Sequence, residues 1–434
     1  MGLNVGKSLS LRSKFFHNAG WMVFVQIYQM LVSLVVGVIS ARYLGPSNYG
    51  VINYVASFVS FFTIVCALGL ETVVVKEVVD NREHEGLVLG TSIAMRFVAG
   101  ALSMVSICII VFVLNNGDRT MTIVAFMQSL ALLFNSTLVI ENWYQSNLKS
   151  RTPVLIKSFT YTVASAYKVV LLILGMGVEW FAFSTSLDAM LIAILYLAIY
   201  KRDGRSPLRF SFRTARQLFS LSHHLMIAYI MAVVYNQMGK IMIGQLIGMS
   251  SVGVYAAAAT ICNMWLFVPR ALSDSASPIV MDLSGHDHDK YKLRLAQLVS
   301  GIFWIGVVFA LILSALSGFV IDVLYGADYA DAQQPLMIII WSTVFSSLSY
   351  ARSIWMLCED KQRYTKMIMV WGVLVNLVLG FVLIQAIGIC GAAFATLATE
   401  FTCCVVVPLF YRDIRPFMSI LFSGVTLNWL WKTK

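Results

Sequence analysis

The chain has 434 residues, 59% of them hydrophobic and 12% charged, with a formal net charge of +10 and a mean hydropathy of +0.80. Soluble domains carry about 25% charged residues, so this composition excludes an ordinary soluble domain and indicates an integral membrane protein. The seven cysteines lie scattered in apolar runs with no Cys-x-x-Cys, which suggests small apolar core residues rather than a disulfide framework or a thiolate metal site.

About twelve apolar runs are long enough to cross a ~30 Å hydrocarbon core as helices. They are predicted at roughly 19–40, 51–74, 88–114, 120–140, 153–175, 178–200, 218–243, 252–279, 294–316, 334–356, 364–386 and 388–411. They are longer than barrel strands and apolar all round, which excludes a β-barrel reading. The first run follows Lys7, Arg12 and Lys14 but exceeds the apolar core of a signal peptide, so it is read as a retained span.

Alternate connections hold 24 of the 31 basic residues, six of them in 201–216 (Lys201, Arg202, Arg205, Arg209, Arg213, Arg216). The opposite connections hold only Arg42, Arg119 and Lys240. Basic short loops stay cytoplasmic, so both termini are expected inside, and the net charge needs no nucleic-acid partner. The apolar stretch at 417–431 is short for a span and is expected as an interfacial helix or partial span. "GHDHDK" at 285–290 has two histidines without further nearby ligands and is read as a solvated loop; no metal site is expected.

The turn "ARYLGPSNYG" at 41–50 has an echo, "GQLIGMSSVG", at 244–253. At an offset of 203, Gly45, Ser47, Gly50 and Val51 match Gly248, Ser250, Gly253 and Val254. A second echo pairs "GVEWFAFST" at 177–185 with "GICGAAFAT" at 388–396. Two ordered matches predict a parallel repeat: an N-terminal lobe over 1–200, a basic cytoplasmic linker over 201–217, a C-terminal lobe over 218–411 and a cytoplasmic or interfacial tail over 412–434. In the first helix Gln26, Gln29, Ser33, Gly37 and Ser40 share one polar or small face. Its counterpart carries Tyr229, Ala232, Asn236 and Lys240. The two faces are read as cleft-lining, with helix–helix glue as the alternative.

Ionisable groups inside spans are costly and normally face a partner or a cavity. Lys168 and Asp188 fall at one depth on consecutive helices and are read as an ion pair; Arg270 and Asp274 share a face at i,i+4. Arg96 and Arg352 have no obvious local acid, and with Arg42 and Lys240 they leave positive charge facing an anionic substrate, a phosphate above all. Asp188 and Glu400 sit near the middle of the last span of each half and are candidates to carry a proton or cation. No Ser/His/Asp set, P-loop or dinucleotide fingerprint stands out, so no catalytic residue is assigned and the chain is not read as an enzyme.

"SARYLGPSNYG" after the first span, "LGLE" ending the second and "LYGADYADAQQPL" before the tenth resemble Wzx-type polysaccharide flippases. These belong to the multidrug/oligosaccharidyl-lipid/polysaccharide (MOP) exporter superfamily, and the likeness runs from about residue 10 to 411. The resemblance implies an all-α fold of twelve transmembrane helices in two six-helix lobes, as in MATE transporters. It implies a multi-pass protein of the bacterial inner membrane that moves undecaprenyl-diphosphate-linked O-antigen or other repeat units to the periplasmic face. Alternating access through a cationic cavity is implied, coupled to H+ or Na+ and without another cofactor, alongside polymerase and chain-length machinery. By location, the implied substrate contacts are Arg42, Arg96, Lys240, Arg270 and Arg352, with Lys168, Asp188, Asp274 and Glu400 in ion coupling or buried pairs. The alternatives are a multidrug exporter of the same superfamily and a membrane polymerase or ligase of lipid-linked glycans, which would need a large periplasmic loop.

Overall fold

The computed structural model describes the backbone of residues 4–80, 84–147, 149, 151–203, 206–427 and 429, with side chains for all of these except 4–24, 224, 225, 227–229 and 232. The side chains of Tyr229 and Ala232 of the expected polar face and of Lys7, Arg12 and Lys14 lie outside that description, as do the topology residues Arg82, Arg205, Lys432 and Lys434 altogether. Every regular element among the described residues is helical. Apolar chain in a bilayer has no water to satisfy its backbone, and a helix satisfies it internally. Nine helical runs among the described residues are long and apolar enough to cross a membrane. One of them, Val25–Asp80, takes in most of the first predicted run and all of the second; those at 218–243 and 334–356 are helical but fall outside the nine.

The chain forms two compact units. The first comprises Met1–Leu44 and Phe58–Ile230, the second Gly45–Ser57 and Met231–Lys434. Helix α1 (Asn4–Ala67) therefore contributes to both, and it bends at Gly45, whose φ of 70° and ψ of 169° suit glycine alone.

In the first unit follow α2 (Leu70–Asp80), α3 (Glu85–Leu114), α4 (Arg119–Phe134), a 3-10 turn at Asn135–Leu138, α5 (Val139–Ser146), α6 (Arg151–Ile173) and α7 (Val178–Asp203). Small residues let α3, α4 and α7 approach closely. A Cβ at Gly100 would lie 2.7 Å from the Leu132 carbonyl oxygen, and Ser186 of α7 donates to the Met127 carbonyl of α4. A second core gathers Leu70, Leu89, Trp143, Tyr144 and Tyr196, with the buried Glu85 accepting from Trp143 Nε1 at 2.8 Å. The basic linker is fastened to this unit: Arg209 N donates to Gly86 O at 3.1 Å and Ser211 N to Thr91 Oγ1 at 3.1 Å. Gly86 and Gly90 make room for it, since a Cβ at either would lie 2.4 Å from a linker carbonyl oxygen.

Helix α8 (Phe212–Leu246) leads from the first unit into the second. There follow α9 (Met249–Trp265), α10 (Phe267–Ser284), α11 (His288–Ala315), α12 (Ser317–Tyr325), α13 (Gln333–Cys358), α14 (Tyr364–Ile387) and α15 (Ile389–Phe401). A π-helical turn at Thr402–Val406 joins α15 to α16 (Val407–Phe410), and α17 (Pro416–Val425) ends the described helices. The apolar C-terminal stretch is thus a short helix packed on α11: Phe417 is fully buried, and Gly424 approaches Val299 and Ala296. The histidine-bearing loop serves as a helix start, with Asp287 accepting from Lys290 N at 3.1 Å and pairing with Lys290 Nζ at 2.9 Å.

The two echoed turns meet within the second unit. A Cβ at Gly50 would lie 1.7 Å from Met249 O, and one at Gly253 would lie 2.0 Å from Pro46 O. Because Pro46 corresponds to Met249 and Gly50 to Gly253 at the 203-residue offset, the contact is reciprocal: each turn puts its carbonyl against the other's glycine. The separation leaves the glycine Cα–H groups as weak donors to those carbonyls. Tyr54, fully buried, stands beside the crossing, accepts from Gln245 Nε2 and fills the space next to Gly244. We expect Gly50→Ala and Gly253→Ala each to force the two backbones apart and lower stability by about 1–3 kcal/mol. Thermal unfolding of the purified protein in detergent checks this, with Gly37→Ala, which has open space around it, as the neutral comparison.

Candidate functional site

In the first unit, α1, α4, α6, α7 and the 3-10 turn enclose a cavity of about 320 Å³. Gln29 comes from α1, Lys157 and Tyr161 from α6 at i,i+4, and Thr185, Asp188, Ala189 and Ile192 from α7 at i, i+3, i+4 and i+7. Asn135 and Leu138 come from the 3-10 turn. That turn forms where "NST" interrupts the apolar run. Ser136 donates to Leu133 O at 2.7 Å and Thr137 to Phe134 O at 2.9 Å, bonds that compete with the α-helical ladder. The wall is charged on both signs. Lys157 Nζ lies 2.6 Å from Glu141 Oε2, while Asp188 Oδ1 is buried without a hydrogen-bond partner.

Lys168 and Asp188 act on each other electrostatically but do not close to salt-bridge distance among the described residues. The Thr160 hydroxyl and Lys157 also act on Asp188, so the expected ion pair gives way to a looser set of contacts. Arg96 is 4% exposed on α3, and its Nε has no hydrogen-bond partner. The strongest opposing charge on it is Glu71, the end of the "LGLE" segment. Gln26, Ser33 and Arg42 are exposed on α1.

In the second unit a different polar cluster forms around the π turn. Arg352 of α13 is 6% exposed; its Nη1 donates to Cys403 O and its Nη2 to Ser349 Oγ at 3.1 Å. The Cys403 carbonyl is available because the residue five positions on, its partner in a π register, is Pro408, which has no N–H. Glu400, one turn earlier, accepts from the Tyr235 hydroxyl of α8 and feels the Arg352 charge. Arg352 therefore does have an acid nearby, on a helix distant in sequence. Gly372 lets α14 approach this cluster, since a Cβ there would lie 2.8 Å from Cys403 Sγ. Arg270 and Asp274 pair at 3.9 Å on an exposed face of α10, as their spacing predicts. Lys240 is half-buried on α8 and makes no ion pair among the described residues; Asn236 is exposed one turn before it.

Asn135, Tyr161 and Thr185 are cavity residues that charge-based reading of the sequence passed over. The spacing of Thr185, Asp188 and Ile192 on one helix face was the available signal.

The fold is that of MOP-superfamily membrane transporters. The chain aligns with the lipid II flippase MurJ, in an inward closed conformation, at a TM-score of 0.70 and 14% identity over 94% of this chain and 91% of that one. The family described as polysaccharide biosynthesis protein matches residues 15–273, and the MatE family matches residues 225–382. The chain therefore belongs to the polysaccharide biosynthesis protein family. Among its relatives is the "Probable low-salt glycan biosynthesis flippase Agl15" of Haloferax volcanii, 23% identical over 90% of this chain and 81% of that protein. Another is the "Putative O-antigen transporter" of Escherichia coli K12, 22% identical over 95% of this chain and 98% of that one.

Removing the Arg352 fork orphans a buried carbonyl and takes away the positive charge that acts on Glu400. We expect Arg352→Ala to lower stability by about 1–3 kcal/mol, with Arg352→Lys only partly restoring it because an ammonium cannot reach both acceptors in fork geometry. Thermal unfolding of the two variants side by side measures the difference.

Proposed function

We propose that this multi-pass membrane protein is a flippase for lipid-linked glycans, carrying undecaprenyl-diphosphate-linked O-antigen or related repeat units from the cytoplasmic to the periplasmic face of the bacterial inner membrane. Its family membership over residues 15–273 carries this reading, and the names of its full-length relatives support it. The chemistry is coherent. A diphosphate cannot cross hydrocarbon unaided, whereas its polyprenyl tail can stay in the bilayer. The protein need only shield the headgroup while opening alternately to each side, so the role is transport rather than catalysis.

In this reading Arg42, Arg96, Lys240, Arg270 and Arg352 supply positive charge along the headgroup's path. Arg96 is the strongest member of that set, because it is buried and its Nε has no hydrogen-bond partner, whereas Arg352 is already held by Cys403 O, Ser349 Oγ and the Glu400 charge. Glu400, held by Tyr235, is the carboxylate we assign to coupling with H+ or Na+. Both termini face the cytoplasm, and the glycan polymerase and chain-length machinery receive the product. The MatE match over residues 225–382 favours a second reading, a multidrug exporter.

The deciding experiment is complementation. In a bacterium whose own O-antigen flippase is deleted, the chain should restore surface polysaccharide and clear accumulated lipid-linked repeat units without raising drug resistance. Raised drug resistance without surface polysaccharide would favour the second reading. Arg96→Ala and Arg352→Ala should each abolish restoration while inserted protein persists on immunoblots; normal polysaccharide in either variant removes that arginine from the path. Reporter fusions at Asp203 and Asp328 should report cytoplasm and periplasm respectively, and the reverse pattern would invert the topology.

A further inference from the structure

The cavity of the first unit is unlike the cationic site that a diphosphate requires. The lysine in its wall, Lys157, is answered by Glu141 at 2.6 Å. What its wall offers instead is uncharged hydrogen-bonding capacity. The Gln29 and Asn135 amides and the Thr185 hydroxyl line it and make no side-chain hydrogen bond among the described residues, and Asp188 Oδ1 is buried without a partner. Around them stand the Tyr161 ring and the apolar side chains of Leu138, Ala189 and Ile192. In an apolar bundle, unsatisfied amides, hydroxyls and carboxylate oxygens are costly unless a ligand or water fills their valences.

We propose that this cavity binds one neutral sugar ring of the lipid-linked glycan and excludes the diphosphate and acidic sugars; this rests on the glycan-flippase reading. Amide and hydroxyl groups both donate and accept, which matches a ring of sugar hydroxyls, and the carboxylate oxygen accepts from one more. The volume, about 320 Å³, lies at the small end for ligand pockets, so it takes one ring rather than a whole repeat unit. Tyr161, Leu138 and Ile192 offer apolar surface to the C–H face of that ring. A phosphate or uronate placed here would meet the negative field of the Asp188 carboxylate in the wall, with Lys157 already paired to Glu141, and that repulsion is the discriminating element. Asp188 thus serves the glycan, leaving Glu400 for the coupling ion.

The test measures binding of three synthetic probes to the full chain in nanodiscs: polyprenyl diphosphate carrying one N-acetylhexosamine, the same lipid carrying one hexuronic acid, and the bare diphosphate lipid. The wild-type chain should bind the neutral-sugar lipid about tenfold more tightly than either of the others, the scale of one or two well-made hydrogen bonds. Thr185→Val and Asn135→Leu should each narrow the gap between neutral-sugar and bare lipid several-fold, with Thr185→Ser restoring it. Asp188→Asn should narrow the gap between neutral and acidic sugar. Equal wild-type affinity for all three lipids, or unchanged gaps in variants that melt like wild type, overturns the sugar pocket and leaves the flippase reading standing. A wild-type chain that binds none of the three overturns the flippase reading itself.

Discussion

Hydrocarbon offers no water to a polar group, and this constraint governs nearly every irregular feature of the chain. The backbone answers it by being helical throughout the described residues. Where the helix is interrupted, a side chain or a second segment takes up the slack. Pro408 removes the donor that a π turn would need, and the Arg352 guanidinium satisfies the carbonyl so exposed. The "NST" interruption bonds its hydroxyls back to the preceding turn and thereby sets Asn135 against a cavity. In both units the departure from regular helix coincides with the chemistry, which is where π and 3-10 turns are commonly found.

The glycine crossing obeys a related constraint. Segment Gly45–Ser57 belongs to the second unit although the residues on either side of it in the same helix belong to the first. Reciprocal carbonyl-to-glycine contacts hold it there, with Tyr54 and Gln245 closing the flank. Such contacts depend on shape rather than hydrophobicity, because lipid tails compete equally for apolar side chains. Two missing methyl groups thus do what an apolar seam does in a soluble protein. The echo in the sequence and the crossing in space are the same fact. Residues that repeat at one offset meet as each other's partners.

Much of this was legible beforehand, and the limits are physical. Apolar length located the helices, and i,i+4 spacing paired Arg270 with Asp274. What escaped depends on contacts distant in sequence. Nothing in the neighbourhood of Arg352 announces Tyr235, Glu400 or a carbonyl freed by a proline fifty-six residues later. The segment over 201–217 was read as a cytoplasmic linker because six basic residues cluster there. Its attachment rests on Gly86, Gly90 and Thr91, whose small size says only that something approaches them closely. Lys168 and Asp188 show the converse error, since equal depth on adjacent helices permits a pair without bringing the side chains to one another.

The two carboxylates reasoned about together from sequence end in opposite environments. Glu400 stands among protein groups, a tyrosine hydroxyl and an arginine field, rather than at a cavity wall. Asp188 lines a cavity beside the Gln29 and Asn135 amides and the Thr185 hydroxyl, with Thr160 and two lysines acting on it. Pseudo-equivalent positions in a repeat need not share a task. Where a repeated unit no longer has to do both jobs, one half can set its carboxylate among protein groups while the other sets it at a cavity wall. The small offset between the two residues, one position in the repeat register, suffices to turn them toward different neighbours on a helix of 3.6 residues per turn.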